Sequence, residues 1–294
     1  MHQIYFSTTG HEPSLECMAT LPRLYVFTLS HYCEKARWAC DRKGLRYRLV
    51  TLLPGAHLWT MRRFARATHV PLLIDGQRVI QDSSGIIDYL DEVLPESPLT
   101  PREPALAAQA REWEAVFDRE LGQPLRRIFY YHALQDARFL AAEYQRGGPF
   151  WGSWFYALAL PTIRRAVGEK YDVTAENVAQ DLELVQALIQ RLDQHFAVHR
   201  YLVGERFSRA DLSLAALGAA LVRPIEHPAH RYPSPLSLPG WLEQIAPFRG
   251  SATAERVREL YREERRVITL PPASGLFRAG RAPAGAAASA LRRS

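Results

Sequence analysis

Residues 24–38 read LYVFTLSHYCEKARW, and this stretch joins a strand-like pattern to a helix-like one. Its first residues are a short apolar run, as in a buried strand. From Cys33 onward the apolar positions recur at helical spacing. Ser30 therefore lies just before a helix N-terminus, where unpaired N–H groups and the helix dipole favour negative charge. Such a position stabilises a thiolate, whether the sulfur belongs to the protein or to a bound thiol.

The sequence around this stretch alternates short strands and helices as far as residue 94. The first helix is followed by Gly44, a residue type that commonly ends helices in the left-handed conformation. Further on, Asp75-Gly76 separates two apolar runs, which is typical of a β-hairpin. The predicted elements are strand 24–28, helix 33–43, strand 46–51, helix 58–67, hairpin strands 72–74 and 78–80, and a helix capped by Asp82 or Ser83. This order predicts a thioredoxin-like mixed sheet over residues 23–94, with the first strand pair parallel and the last antiparallel.

A proline-rich segment ends this domain, and residues 95–103 are predicted to be a linker. From 104 to 270 apolar residues recur at helical spacing. The sequence therefore predicts an α/β thioredoxin-like N-terminal domain followed by an all-α helical-bundle C-terminal domain. Residues 1–22 are predicted to be a flexible extension, within which Met18 is an alternative start. The Ala-, Pro- and Arg-rich residues 271–294 are predicted to be a disordered tail.

The charge and the cysteine count exclude several function classes. The net charge is +6, of which four arginines lie in the predicted tail, and the body of the chain is too weakly basic to indicate nucleic acid binding. Three cysteines do not form a disulfide framework and are typical of a reducing compartment, so we expect a cytoplasmic protein. No apolar run reaches the roughly 18 residues that a transmembrane helix needs. His227 and His230 lack further ligands nearby, so no metal site is expected.

Four short motifs together resemble the glutathione transferase family. Ser30-x-x-Cys33 opens the first helix, Val70-Pro71 precedes the third strand, and Asp82-Ser83 opens the next helix. A pair with capping-box spacing, Ser208-x-x-Asp211, resembles the family's motif at the start of a central buried helix. The resemblance is strongest over residues 24–94. It implies a glutathione-binding domain of thioredoxin-like fold, and a homodimer in which the α/β domain of one subunit pairs with the helical domain of the other.

The resemblance implies that Ser30 is the catalytic residue. Its hydroxyl would donate a hydrogen bond to the sulfur of bound glutathione and so favour the reactive thiolate. From the residues alone, Ser30 could instead only cap the helix. Cys33 is the alternative nucleophile, because glutaredoxin-like proteins exchange disulfides through a Cys-x-x-Cys pair. Here Ser30 replaces the first cysteine of that pair. Tyr32 could also donate to sulfur, although its position fits packing better.

The same resemblance implies a set of glutathione-binding residues. Val70 would pair with the peptide through its main chain, held in place by a cis Pro71. Asp82 and Ser83 would hold the γ-glutamyl end, since a helix N-terminus favours a carboxylate and Asp82 can accept the ammonium group. His57, on a basic helical segment, could meet the glycyl carboxylate. The alternative for each polar residue is a capping or solvated role without a ligand.

The reaction implied is attack by the glutathione thiolate on a small apolar electrophile, as in detoxification, with glutathione as co-substrate. The electrophile would lie between the domains against Trp113, Phe117 and Tyr130, although aromatic stripes at helical spacing are also typical of a core. Two other classes stay open: a thiol-disulfide enzyme that uses Cys33, and a non-catalytic member that binds glutathione, an apolar ligand or a protein. The aromatic residues 150–156 are compatible with a pocket, a dimer seam or a membrane surface.

Overall fold

A computed structural model describes residues 21–231 and 236–267 and places a four-stranded mixed sheet before a set of helices. The strands are β1 (Arg23–Val26), β2 (Arg48–Thr51), β3 (Leu72–Asp75) and β4 (Arg78–Gln81), in the spatial order β2-β1-β3-β4. β1 pairs with β2 in parallel, and the other two pairs are antiparallel. The predicted fold class is therefore confirmed. The predicted tail, and all but the last two residues of the predicted N-terminal extension, lie outside the described residues.

Three helices complete the first domain: α1 (His31–Arg42), α2 (His57–Phe64) and α3 (Ser83–Val93). β1 ends two residues earlier than predicted because the chain turns toward α1 after Val26. The Phe27 N–H donates to Cys33 Sγ (3.4 Å), and the Phe27 carbonyl accepts from the Ser30 N–H (3.4 Å). Since these main-chain groups bond within the turn, the ladder with β2 ends there. The same turn places Ser30 at the start of α1.

The second part of the chain is helical over its described residues. Its helices are α4 (Pro104–Phe117), α5 (Gln123–Ala133), α6 (Ala137–Gln145), α7 (Gly152–Lys170), α8 (Ala175–Phe196), α9 (Arg209–Val222), α10 (Pro239–Ile245) and α11 (Ala252–Glu264). One π-helical turn, Asp118–Gly122, joins α4 to α5. π turns of this kind occur preferentially at functional sites. Here the turn approaches α1, because the Asp118 carbonyl accepts from Tyr32 Oη (3.2 Å).

Helix α9 is the central buried helix. Nearly all of its residues are buried, and it packs against α1, α4 and α11. The predicted capping box is present, since Ser208 and Asp211 exchange side-chain to main-chain hydrogen bonds at its start. Helix α1 also packs against α3. Helix α1 is thus enclosed between the α/β domain and the helical part, with only its N-terminus reaching an open cleft.

Candidate active site

A cleft of about 770 Å³ opens at the N-terminus of α1. One wall comes from the α/β domain, through the β1–α1 loop, the start of α2 and the segment before β3. The other wall comes from α5, α6, α7, α10 and the loop that follows α9. Residues that line it include Phe27, Ser30, His57, Val70, Tyr130, Phe155 and Trp241. Four residues predicted from sequence, Ser30, His57, Val70 and Tyr130, therefore line one cleft.

Ser30 is the N-cap of α1, and its hydroxyl oxygen accepts a hydrogen bond from the Cys33 N–H (3.3 Å). Ser30 therefore does cap the helix, but this hydrogen bond leaves the hydroxyl proton available for another partner. A hydroxyl carries one proton and two acceptor lone pairs, so the proton can rotate toward a ligand. A sulfur bound at this point of the cleft would meet both that proton and the positive end of α1.

The Cys33 thiol lies beneath this surface. Its side chain is buried, and its sulfur accepts from the Phe27 N–H (3.4 Å). Burial raises the pKa of Cys33 to about 11, although hydrogen bonds from Ser30 and Phe27 oppose the shift. A thiol with that pKa is almost fully protonated at neutral pH, whereas the thiolate is the form that attacks. Burial and protonation both disfavour Cys33 as a nucleophile.

The segment before β3 and the start of α3 are joined at one edge of the sheet. The Val70–Pro71 peptide bond is cis, and the Pro71 carbonyl accepts from the Asp82 N–H (3.2 Å). Asp82 caps α3 by accepting from the Gly85 N–H (2.7 Å), and its φ of 65° is uncommon for a residue with a side chain. Ser83 is buried. Asp82 and Ser83 stand beside the residues that line the cleft and are not among them.

His57 lines the cleft as a neutral imidazole. Its Nδ1 accepts from the Gly55 N–H (3.0 Å), and its ring meets Phe27 edge-on, with centroids 4.8 Å apart. Burial, with help from the Lys170 charge, lowers the pKa of His57 to about 4. At neutral pH the ring therefore offers at most one N–H to a carboxylate, through Nε2, and no net charge. This environment therefore does not support a salt bridge from His57 to a glycyl carboxylate.

The predicted electrophile pocket needs correction at two of its three aromatic residues. Trp113 and Phe117 stack on each other, with centroids 5.4 Å apart, and Phe117 is fully buried. Trp113 also meets His195 of α8. The side of α4 that carries Trp113 and Phe117 faces helices of the bundle. The helical spacing of these two residues therefore indicates a packed core and not a substrate pocket. Neither residue is among those that line the cleft, whereas Tyr130 is.

A buried ion network beneath the cleft was not predicted from sequence. Lys35 Nζ lies 2.7 Å from Glu114 Oε1 and donates to Ser84 Oγ (3.1 Å). The other oxygen of Glu114 accepts from Arg209 Nε (2.6 Å). Lys35, Glu114 and Arg209 are all buried. The one signal in the sequence was a lysine inside the buried stretch of α1, where a cation needs a partner.

Comparison with known proteins finds related sequences for the α/β domain. Residues 24–98 match the family described as glutathione S-transferase, N-terminal domain. Glutathione S-transferase 1 of Dianthus caryophyllus is 40% identical over 97 residues, which are 32% of this chain and 43% of that protein. A probable maleylacetoacetate isomerase of Caenorhabditis elegans is 36% identical over 93 residues, 31% of this chain and 43% of that protein. The matched segment thus spans less than half the length of these relatives.

Solved structures are similar over a longer part of the chain. Beta-etherase LigF from Sphingobium sp. strain SYK-6 matches with a TM-score of 0.55 at 20% identity, covering 81% of this chain and 98% of that one. A glutathione S-transferase of Ceriporiopsis subvermispora, solved in complex with glutathione, matches with a TM-score of 0.55 at 14% identity, covering 86% and 100%. At such identities the similarity establishes the fold, a thioredoxin-like domain followed by a helical one.

Two observations on the described residues concern membranes and metals. None of the helices between residues 21 and 267, leaving aside 232–235, is long and apolar enough to cross a membrane. Over the same ranges, no group of three His, Cys, Asp or Glu side chains is arranged to hold a metal ion.

Proposed function

We propose that this chain, whose residues 24–98 match the glutathione S-transferase N-terminal domain, is a glutathione transferase that conjugates the glutathione thiolate to small apolar electrophiles. The observation that carries the proposal is the Ser30 hydroxyl, at the N-terminus of α1 and on the wall of a cleft of about 770 Å³. The hydroxyl and the helix dipole together favour a thiolate over a thiol. The buried Cys33 offers no comparable nucleophile.

Glutathione would lie along the edge that runs from Val70 to the start of α3. The Val70 main chain would pair with the cysteinyl residue of the peptide, beside the cis Pro71. Asp82 would accept the γ-glutamyl ammonium group, while the N–H groups at the start of α3, including that of Ser83, would meet its carboxylate. His57 would contribute at most a neutral N–H at the glycyl end.

In the proposed reaction the thiolate attacks an electrophilic carbon of the second substrate. A sulfur–carbon bond forms, and the leaving group departs with the bonding electron pair. Ser30 donates its hydrogen bond to sulfur before the attack, so the reactive form is populated at neutral pH. Tyr130 and Phe155 belong to the wall of the cleft that would hold the apolar part of the electrophile.

We expect Ser30→Ala to lower the rate of conjugation roughly 10- to 150-fold, because a hydrogen bond to a charged group contributes about 1.5–3 kcal/mol. Retention on immobilised glutathione should change little, since the peptide is held mainly by other residues. The measurement is steady-state conjugation with a chromogenic electrophile, together with the pKa of the bound thiol, which should rise.

Cys33→Ser is the matched variant, and it should leave conjugation largely intact. An active Ser30→Ala beside an inactive Cys33→Ser would instead assign the protein to the thiol-transferase class. If wild type binds glutathione but conjugates and exchanges nothing, the proposal of an enzyme fails in favour of a binding protein.

We further propose that the protein forms a homodimer, as members of the family do, and that it acts in the cytoplasm, as its cysteine count suggests. The aromatic side chains of Phe150 and Trp154 are largely exposed and could be covered in such a dimer. Sedimentation at micromolar concentration should give twice the monomer mass of 33.4 kDa. A single species at the monomer mass would contradict the dimer without affecting the proposed chemistry.

A further inference from the structure

Arg126, on α5, lines the cleft and has no ion pair with any residue that the structure describes. Its guanidinium carbon lies 4.2 Å from the ring centre of Tyr171 and 5.7 Å from that of Tyr32. Its Nε is buried and has no hydrogen-bond partner among the described residues. The next residue, Arg127, shows the usual arrangement, since both oxygens of Asp181 lie 2.9 Å from its Nη1. A half-buried guanidinium without a carboxylate partner is a favourable position for an anionic ligand.

The cleft around Arg126 is positive over an apolar lining. Lys170 and Arg223 also line it, whereas Glu143 is the one acidic side chain among its described lining residues. That carboxylate is already paired with Arg146 at 2.6 Å. Among the described lining residues, no carboxylate is therefore left to pair with Arg126, Lys170 or Arg223. Aromatic and aliphatic side chains cover much of the remaining wall, including Phe129, Phe155, Ile163 and Trp241.

Arg126 is close to the proposed thiolate position. It lies within cation–π range of Tyr32, two residues after Ser30. It also acts electrostatically on His31: burial first, then the Arg126 charge, lowers the pKa of His31 to about 3. The neutral His31 ring has its Nε2 buried without a partner. Two buried polar atoms without a partner among the described residues, Arg126 Nε and His31 Nε2, thus belong to the wall of the cleft beside Ser30.

We propose that Arg126 is the anion anchor of this cleft, and that the electrophile is an aromatic or otherwise apolar molecule bearing a carboxylate. The inference rests on the proposed function and narrows its substrate class. A carboxylate matches the planar edge of a guanidinium and can form two parallel charge-assisted hydrogen bonds with it. The Tyr171 ring, 4.2 Å from the guanidinium carbon, supports the cation from one side. The apolar part of the substrate would lie against the aromatic wall, with its reacting carbon toward Ser30.

The test compares a chlorodinitrobenzoate with its methyl ester, two chromogenic electrophiles that differ in one charge. In both, the thiolate displaces chloride, which leaves with the bonding electrons. We expect wild type to prefer the acid and Arg126→Gln to lower the acid-to-ester ratio of kcat/KM roughly ten- to hundredfold, mostly through KM. Arg126→Lys should recover part of that ratio. Arg223→Gln, which removes an exposed cation of the same cleft, should lower it less than about threefold.

Two results would overturn the proposal: an equal loss for acid and ester, or a rise in the KM for glutathione. The second would mean that Arg126 serves glutathione. If wild type conjugates neither probe, the proposed function fails, and binding of dinitrobenzoate by calorimetry then tests Arg126 alone. Binding that Arg126→Gln weakens at least tenfold would support the anchor, and its absence in wild type would overturn it.

Discussion

Arg265→Met should lower the free energy of unfolding by about 3–5 kcal/mol, because it leaves two buried carboxylates without their cation. Arg265 follows α11 and is fully buried. Its Nε lies 2.6 Å from Glu34 Oε1, and its Nη1 lies 2.8 Å from Asp41 Oδ2. Both acids belong to α1 and are themselves buried. The guanidinium therefore connects the described end of the chain to the helix that carries Ser30 at its start.

The loss of unfolding free energy in Arg265→Met should be larger at pH 7 than at pH 5. Burial by itself raises the pKa of Glu34, but the Arg265 charge holds it below the ordinary value. Wild type therefore keeps this contribution above about pH 4.5 and loses it as the pH falls through the lowered pKa. In Arg265→Met the effect of burial prevails, so the folded state binds a proton more tightly than the unfolded state does. Acidification from pH 7 to 5 should then recover part of the loss.

Urea unfolding of wild type and variant at both pH values measures this difference. Arg266→Met, which removes the exposed neighbouring arginine, is the control and should change stability by less than about 0.5 kcal/mol. His227 adds to the effect in the same direction, because the Arg265 charge helps to lower its pKa and the variant removes that charge. A loss that is identical at pH 7 and 5 would mean that Met merely packs poorly, and an unchanged stability would contradict the ion cluster itself.

The features that the sequence predicts well are set by residues close together in the chain. Asp75-Gly76 indicates the hairpin because the turn needs a positive φ, which Gly76 adopts at 57°. Ser208 and Asp211 cap α9 across three residues. Ser30 caps α1 in the same local way. Each of these interactions is complete within a few residues, so no knowledge of the tertiary structure is needed to propose it.

The features that were missed or misplaced depend on contacts between distant segments. Glu114 meets Lys35 and Arg209, which are far from it in the chain, so nothing local distinguishes it from an exposed acid. Arg126 and Arg127 are neighbours of the same type, yet only the fold supplies Arg127 with Asp181. The helical spacing of Trp113 indicates one apolar face without saying what covers it. Identifying an unpaired cation therefore requires the full set of three-dimensional partners.

The largest effect on the proposed site should come from Glu114→Gln. This single carboxylate on α4 holds Lys35 of α1 at 2.7 Å, accepts from Ser84 of α3 at 2.9 Å, and holds Arg209 of α9 at 2.5 Å. Its replacement leaves two buried cations short of an anion, which should cost about 3–5 kcal/mol of unfolding free energy. Asp118, 3.6 Å from Lys35, and Asp88, 2.5 Å from Arg209, compensate only in part.

The functional consequence follows from which elements the network joins. Ser30 caps helix α1, and Asp82 and Ser83 lie two residues and one residue before Ser84. Loosening α1 from α3 should therefore misplace the two ends of bound glutathione relative to each other, and raise the KM for glutathione more than it lowers kcat. Glu112→Gln, an exposed acid on the same helix, should change neither stability nor kinetics measurably.

The double variant Glu114→Gln, Lys35→Met separates charge from packing. Because it removes a buried cation together with the anion, it should recover part of the stability that Glu114→Gln loses. The double variant could instead be less stable than Glu114→Gln by the full free energy that Lys35→Met costs on its own. In that case the two side chains act independently and the network is not a unit. A Glu114→Gln protein within about 1 kcal/mol of wild type would show that α1, α3 and α9 are held together by apolar packing alone.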